Sequence, residues 1–424
     1  MVHKSARVWK VWRESMGSVS AGDTGFVLLS SALVMFMTPG VAFFYAGMVR
    51  SKNVLNTIML SFAVLGTVSV LWSLVGYSLA FGPDWGGMIG NLSWVGLAGV
   101  EQTPNADYAG TIPHLAFAVF QGMFAAITPA LITGALVDRV RFKPFLAFVV
   151  LWSLLVYSPV AHWVWGAGGW IRAVGALDFA GGTVVHVNAA AAALAGALVL
   201  GKRRGLGTEE LVPHNLPITV LGAAMLWFGW FGFNAGSALS ANGLAASAFV
   251  VTNLAAAAAA VAWMGLEWLH RGQPTTLGAA TGCVAGLVAI TPASGFVSPM
   301  PALVIGSLAG AICYGAVILK WRLGYDDALD VVGVHGAGGV VGALLTGVFS
   351  STLVNPAGAD GLLFGHPERV LAQLVAVVAP LAFSFVCSYL LFSLVDTFWG
   401  LRVSHEEEET GLDLTQHNEV GYNI

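Results

Sequence analysis

An all-α membrane protein with eleven transmembrane helices is the fold this sequence predicts, and three observations carry that expectation. Of its 424 residues, 57% are hydrophobic and only 9% are charged, far from the roughly one-quarter charged makeup of a soluble domain. Apolar stretches long enough to cross a hydrocarbon core of about 30 Å, which takes roughly 20 helical residues, recur along the chain, with the charges confined to the connectors. The Lys and Arg residues of those connectors gather on one side. With a formal net charge of −4 and no basic stripe outside short connectors, neither nucleic acid nor a lipid headgroup surface is an expected partner. Cys283, Cys313 and Cys387 all fall inside apolar stretches at unrelated spacing, which argues against a disulfide framework or a zinc site. No cofactor is expected.

Taken in order, residues 1–24 carry charges every three or so positions up to Glu14, which breaks any secretory apolar region. They read as an extracytoplasmic tail, or equally as an over-extended start. Residues 25–400 then form one eleven-helix domain, with spans expected at Gly25–Met48, Thr57–Phe81, Ile112–Val137, Phe142–Gly166, Asp178–Gly201, Ile218–Leu239, Ala245–Leu269, Thr275–Ile290, Met300–Leu319, Ala328–Ser351 and Val370–Trp399. The eighth is the shortest. Residues 401–424 form an acidic C-terminal tail.

An odd number of spans puts the termini on opposite sides. The odd-numbered connectors and the C-terminal tail hold Arg50, Lys52, Arg139, Arg141, Lys143, Lys202, Arg203, Arg204, Arg271, Lys320, Arg322 and Arg402, whereas the even connectors hold only Arg172 and Arg369. The positive-inside rule therefore places the N-terminus outside and the C-terminus in the cytoplasm. Lys4, Arg7, Lys10 and Arg13 run against this count.

Much of the chain's glycine lies within spans beside Ala and Ser, as in HVNAAAAALAGAL and GVHGAGGVVGALL, where small faces let helices approach closely. Two halves also resemble each other. Span five carries Val185-His186 and span ten Val334-His335, each followed by small residues; span one carries Phe44-Tyr45-Ala46-Gly47 and span six Phe233-Asn234-Ala235-Gly236. Spans one to five and six to ten thus read as a repeat whose odd length inverts the second copy, an arrangement that places a substrate site near the midplane.

Of ten histidines, only His186 and His335 lie deep within the expected spans. Counted at about 1.5 Å per residue, His186 is roughly 12 Å from the start of span five at Asp178, and His335 roughly 10 Å from the start of span ten at Ala328. Ionisable residues at such depth mark function by default; the plainer reading is a hydrogen bond between neighbouring helices. At the outer side, topology gathers Phe120 and Phe124, an i, i+4 pair, with Trp165, Phe233 and Ser237. Aromatic faces with a hydroxyl suit a small cation. Asp178, at the head of span five, is placed to cap that helix and to add negative potential to a vestibule. Taken singly, Trp165 also reads as an interfacial anchor and the phenylalanines as core.

At these residues the sequence closely resembles the ammonium transporter (Amt/Mep/Rh) family over nearly its full length, in FFYAGMVRSKN, FQGMFAAIT, AHWVWGAGG, LDFAGGTVVHVNA, WFGWFGFNAGS and DVVGVHGAGG. The resemblance implies an external ammonium site at Phe120, Phe124, Trp165 and Ser237, a stacked phenylalanine gate at Phe124 and Phe233, and twin pore histidines at His186 and His335 that relay a proton while neutral ammonia crosses. Trp165 favours the bacterial Amt branch. The resemblance further implies ammonium or ammonia as substrate, with methylammonium as an analogue, a homotrimer, and an inner (plasma) membrane location. Within the tail, GLDLTQH resembles the region that docks PII-type signalling proteins, at Gly411, Leu412, Asp413, Leu414 and His417; by composition alone, four consecutive glutamates read as a solvated, disordered tail. The rival class is an ammonium sensor signalling to a cytoplasmic partner. No sensory domain is read after span eleven, so transport is preferred, and no nucleophile with a base, zinc-protease motif or phosphate loop suggests an enzyme.

Overall fold

The structure, a computed structural model, describes residues 19–422. It is almost entirely helical. Ten helices are long and apolar enough to cross a membrane: α1 (Ala21–Ala46), α2 (Ser51–Phe81), α3 (His114–Leu136), α4 (Phe142–Ala173), α5 (Gly182–Leu200), α6 (Leu216–Gly236), α7 (Gly243–Arg271), α9 (Pro299–Leu323), α10 (Val332–Phe349) and α11 (Glu368–Trp399). The remaining apolar helix, α8 (Thr276–Ile290), has 15 residues, about 22 Å at 1.5 Å per residue; buried turns through Val297 carry the chain onward inside the protein. A two-residue hairpin, β1 (Asp84–Trp85) against β2 (Ile89–Gly90), follows α2.

Several boundaries differ from the sequence reading, three of them helix starts that differ for a polar reason. Helix α1 begins at Ala21, inside the segment read as tail, because Ser20 accepts the Asp23 amide at 3.2 Å as an N-cap. The rest of the expected N-terminal tail, 1–18, lies outside the described residues. Helix α5 begins at Gly182 and not at Asp178, and α10 at Val332 and not at Ala328. In both cases an aspartate outside the helix receives its first free N–H groups. His186 and His335 therefore stand only about 6 Å and 4.5 Å along their helices. Their depth comes from buried irregular segments ahead of each helix.

Small residues do let helices touch. Along the contact of α1 with α6, a Cβ at Gly222 would lie 2.2 Å from the Phe44 amide nitrogen, so only a hydrogen fits. Where α5 crosses α10, a Cβ at Gly339 would meet the Gly182 carbonyl at 3.0 Å and the His186 Cβ at 3.2 Å. Each of these two helices opens with a π-helical turn, Gly182–Val187 and Val332–Gly336, and each turn contains a histidine. Such turns inside α-helices concentrate at functional sites.

The C-terminal tail is folded, contrary to the disorder read from its composition. Helix α12 (His405–Thr410) starts with a capping box in which Ser404 and Glu407 satisfy each other's amides. Glu408 is 1% exposed and joins the Arg204 amide at 2.7 Å to the Arg402 guanidinium at 2.9 Å. In α13 (Leu412–His417), the Leu412 amide donates to Asn53 Oδ1 at 2.8 Å, and Asp413 Oδ1 accepts the Asn56 amide at 2.8 Å. His417 meets Asn56 Nδ2 at 3.0 Å and packs edge-on to Phe142. Of the five positions matched to a partner-docking element, Gly411, Leu412 and Asp413 are buried against the protein's own α2; Leu414 is exposed and His417 half-buried. Glu407, Glu408 and Glu409 are held because the connectors around them carry Arg141, Arg204 and Arg402.

Candidate functional site

A string of cavities runs through the bundle. At the end carrying Trp165, a vestibule of about 480 Å³ is walled by Phe124, Trp165, Asp178 and Ser237, among others. Its floor is a pair of rings: Phe124 stacks on Phe233 with centroids 4.2 Å apart and planes at 29°. Beneath them is a cavity of about 10 Å³ lined by Phe233, Trp230, Val185, Leu131, His186 and His335. A further space of about 50 Å³ shares His335 and Tyr45 with it and adds Asp330. Asp330 also lines the opening of about 500 Å³ at the tail end. The inner cavities and the tail-end opening join by shared walls, whereas the Phe124 and Phe233 rings close them off from the vestibule.

The two histidines, 149 residues apart in the chain, meet at the smallest of these cavities with Nδ1 to Nδ1 at 3.2 Å. Their rings lie nearly parallel at 24°. His186 is sandwiched further by Trp230 and Phe233, with centroids at 5.4 and 6.1 Å. Its Nε2 is buried without a hydrogen-bond partner, an uncommon condition for a buried polar atom. A small donor and acceptor that enters the path would satisfy it.

Asp178 is what builds the turn holding His186. Its Oδ1 accepts the amides of Gly181 and Gly182, each at 2.7 Å, and its Oδ2 those of Thr183 at 2.8 Å and Val184 at 3.2 Å. These are the otherwise unpaired N–H groups at the helix start. The cap matches this geometry, and the carboxylate, its lone pairs taken by four N–H groups, stands in the vestibule wall. The same construction recurs eight residues before His335: Asp327 Oδ2 accepts the Val332 amide at 2.7 Å, and Lys320 donates to the Asp327 carbonyl at 2.7 Å. The sequence reading missed Asp327. The signal was available as an aspartate eight residues before each histidine, in LDFAGGTVVH and DDALDVVGVH.

Trp165 ends the helical part of α4, after which the chain breaks before Trp170. Its indole N–H donates to the Asp178 carbonyl at 2.8 Å, and its ring stands edge-on to Phe124 at 5.9 Å. This is a cavity wall and not a lipid-facing anchor. Ser237 donates its hydroxyl hydrogen to the Phe233 carbonyl at 2.8 Å, which leaves its lone pairs free to accept. Phe120 does not reach the vestibule wall: it is fully buried, edge-on to Phe124 at 4.9 Å and pressed against Gly236. Tyr45, unnoticed in the sequence as a lining residue, donates to the Leu131 carbonyl at 3.1 Å beside the histidines.

The family model described as Ammonium Transporter Family matches residues 25–422. The chain belongs to the ammonium transporter family. It is 53% identical to an ammonium transporter of Bacillus subtilis, covering 95% of this chain and 98% of that protein. It is 50% identical to an ammonium transporter of Aquifex aeolicus, over 97% and 95%. Among solved structures, the crystal structure of Saccharomyces cerevisiae Mep2 superposes with a TM-score of 0.86 at 37% identity, covering 92% of this chain and 89% of that one. A structure described as a sensor Amt protein gives 0.85 at 29%, over 93% and 98%. As a member of this family, the chain is a multi-pass membrane protein of a transporter family and not of an enzyme family.

Proposed function

We propose that this protein is an ammonium transporter that recruits ammonium between Phe124, Trp165 and Ser237, deprotonates it, and passes neutral ammonia between the Phe124 and Phe233 rings to His186 and His335. The observation that carries this reading is the buried histidine pair in a largely apolar path that lies between the Phe124 and Phe233 rings and the spaces leading to the tail end of the bundle. A bare charge in such a path costs several kcal/mol, whereas neutral ammonia costs far less. The names of the relatives from Bacillus subtilis and Aquifex aeolicus agree with it. Phe120 acts by backing the Phe124 ring, and Asp178 by fixing the turn that aims His186. The sensor reading rests on the same site, but the likeness to a sensor Amt protein is lower in identity than that to the transporters. Electrical recording from purified protein in liposomes during ammonium pulses tests the proposal; absence of any ammonium-driven current or pH change would overturn it.

The same reading places eleven spans, as two inverted five-helix repeats plus a last helix, in the inner membrane, with the N-terminus outside. The tail packs among Arg204, Arg402 and Arg141, and the basic end of the bundle faces the cytoplasm. A cysteine at Ser404 is expected to react with a membrane-impermeant maleimide only after the cytoplasmic face is opened; labelling in intact cells would reverse the orientation. Family resemblance supports a homotrimer. It also supports a PII-type partner at the tail, which would meet Leu414 and the outer face of α13 unless α13 first lifts from Asn53 and Asn56.

Trp165→Leu removes the aromatic face while keeping an apolar wall. Because such a face attracts a cation by about 0.5–2 kcal/mol, half-saturation for ammonium is expected to rise roughly two- to thirtyfold in a folded protein. Unchanged half-saturation would leave Trp165 as a wall residue only.

A further inference from the structure

The only two basic residues of the even connectors, Arg172 and Arg369, both line the vestibule that also holds Phe124, Trp165 and Ser237. A cation site with guanidinium groups in its wall is unexpected on electrostatic grounds. Each is fixed by a neutral partner: Arg172 Nη1 donates to the Trp165 carbonyl at 3.0 Å, and Arg369 Nη1 to the Gly175 carbonyl at 3.1 Å. Arg369 Nε is buried with no partner. Among the described residues neither guanidinium forms an ion pair within 4.0 Å. The other ionisable groups facing this cavity are Asp107, Tyr108 and Asp178. The Asp178 carboxylate is taken up by four backbone amides, and Asp107 is exposed to water. Carbonyl bonds anchor the two arginines without neutralising them.

We infer that Arg172 and Arg369 supply a positive field in the vestibule that weakens ammonium binding there and favours release of its proton, so that these two residues set the balance between recruitment and deprotonation. The inference rests on the ammonium-recruiting reading given above. A nearby like charge disfavours the charged form of any titrating group, and ammonium is no exception. In the vestibule an ammonium N–H bond breaks and an O–H bond forms on water, giving ammonia and a hydronium ion. Both guanidiniums repel the hydronium out of the vestibule, and the share of protons that passes inward to the histidine pair is the charge that a current reads. The field does not act on the net charge of ammonia, which is free to move on to the Phe124 and Phe233 rings. Recruitment by Trp165 and Ser237 and repulsion by the arginines thus oppose each other in binding and cooperate in turnover.

The test is ammonium-driven current in liposomes at ionic strengths of about 0.02 M and about 0.5 M, where the screening length differs severalfold. The proteins are the wild type, the double variant R172Q/R369Q, the charge-preserving pair R172K/R369K, and Trp165→Leu. At low ionic strength R172Q/R369Q is expected to lower half-saturation about three- to tenfold, to lower maximal current by a similar factor, and to approach wild type at high salt; R172K/R369K stays near wild type throughout. An unchanged or raised half-saturation at low salt would overturn the inference. So would a difference that survives high salt, a lowered half-saturation with undiminished maximal current, or a lysine pair that behaves like the glutamine pair. Trp165→Leu tells the two failures apart: if it leaves half-saturation unchanged, recruitment at the aromatic wall is wrong, whatever the arginine variants do.

Discussion

Replacing His186 or His335 with alanine is expected to abolish selective ammonium current, by about tenfold or more, with little loss of folded protein. The rings meet through their Nδ1 atoms at 3.2 Å and line a cavity of about 10 Å³. On the proposed relay, removing one imidazole breaks the proton path, and it opens room for water. A wetter pore admits hydrated ions, so the predicted variant either carries no ammonium current or carries potassium as well. A merely structural pair would behave differently, because loss of one hydrogen bond between helices costs roughly 1 kcal/mol and leaves selectivity intact. Ammonium and potassium currents should be recorded beside melting temperatures for both variants. Normal, selective current with only a lower melting temperature would make the pair structural.

Asp178→Ala is expected to be the most damaging single change for stability. Its carboxylate accepts four backbone amides at the head of α5 and is 9% exposed. Charge-assisted hydrogen bonds contribute about 1.5–3 kcal/mol each, and buried donors left unpaired cost further. A loss of roughly 3–6 kcal/mol allows for relaxation and entry of water, enough to remove much of the stability of an ordinary domain. Asp178→Asn should fall between wild type and alanine, since an amide retains one acceptor oxygen for Gly181 and Gly182 but turns an N–H group towards Thr183 and Val184. Thermal unfolding in detergent checks the ranking. An asparagine variant as damaged as alanine would show that the negative charge, and not the acceptor geometry, holds the turn.

Much of this architecture was legible in the sequence because the bilayer imposes it. Apolar length marks a span whatever its neighbours are, so the ten long helices were found, and α8 as a shorter apolar helix of 15 residues. His186 and His335 stood out because an imidazole in an apolar stretch is rare, and Phe124, Phe233, Trp165 and Ser237 followed from helix phase and connector order. The starts of α5 and α10 were not legible. The segments before Gly182 and Val332 are buried yet irregular, and hydropathy does not separate them from helix; only the repeated aspartate eight residues ahead of each histidine does. Phe120 was misplaced because i, i+4 spacing fixes a face but not which ring reaches the cavity. Tail folding was hidden for another reason. Its partners, Asn53 and Asn56 on one side and Arg204 on the other, are two hundred residues or more distant, and four glutamates read as solvated until those donors are in place.

The contact between the histidines joins like to like, Nδ1 to Nδ1, and that symmetry has a cost in time. Two neutral imidazoles that share one hydrogen at this contact are never in the same tautomer: the ring that donates keeps its Nε2 bare, and the ring that accepts carries its only N–H hydrogen on Nε2. A proton that enters at the bare Nε2 pushes the shared hydrogen across and expels one from the far Nε2, after which both rings hold the opposite tautomer. The pair then points backwards. A second proton in the same direction must wait until the tautomers are restored, so a relay through this pair, as proposed above, works as a ratchet with one tooth whose reset would set a ceiling on how often charge accompanies ammonia.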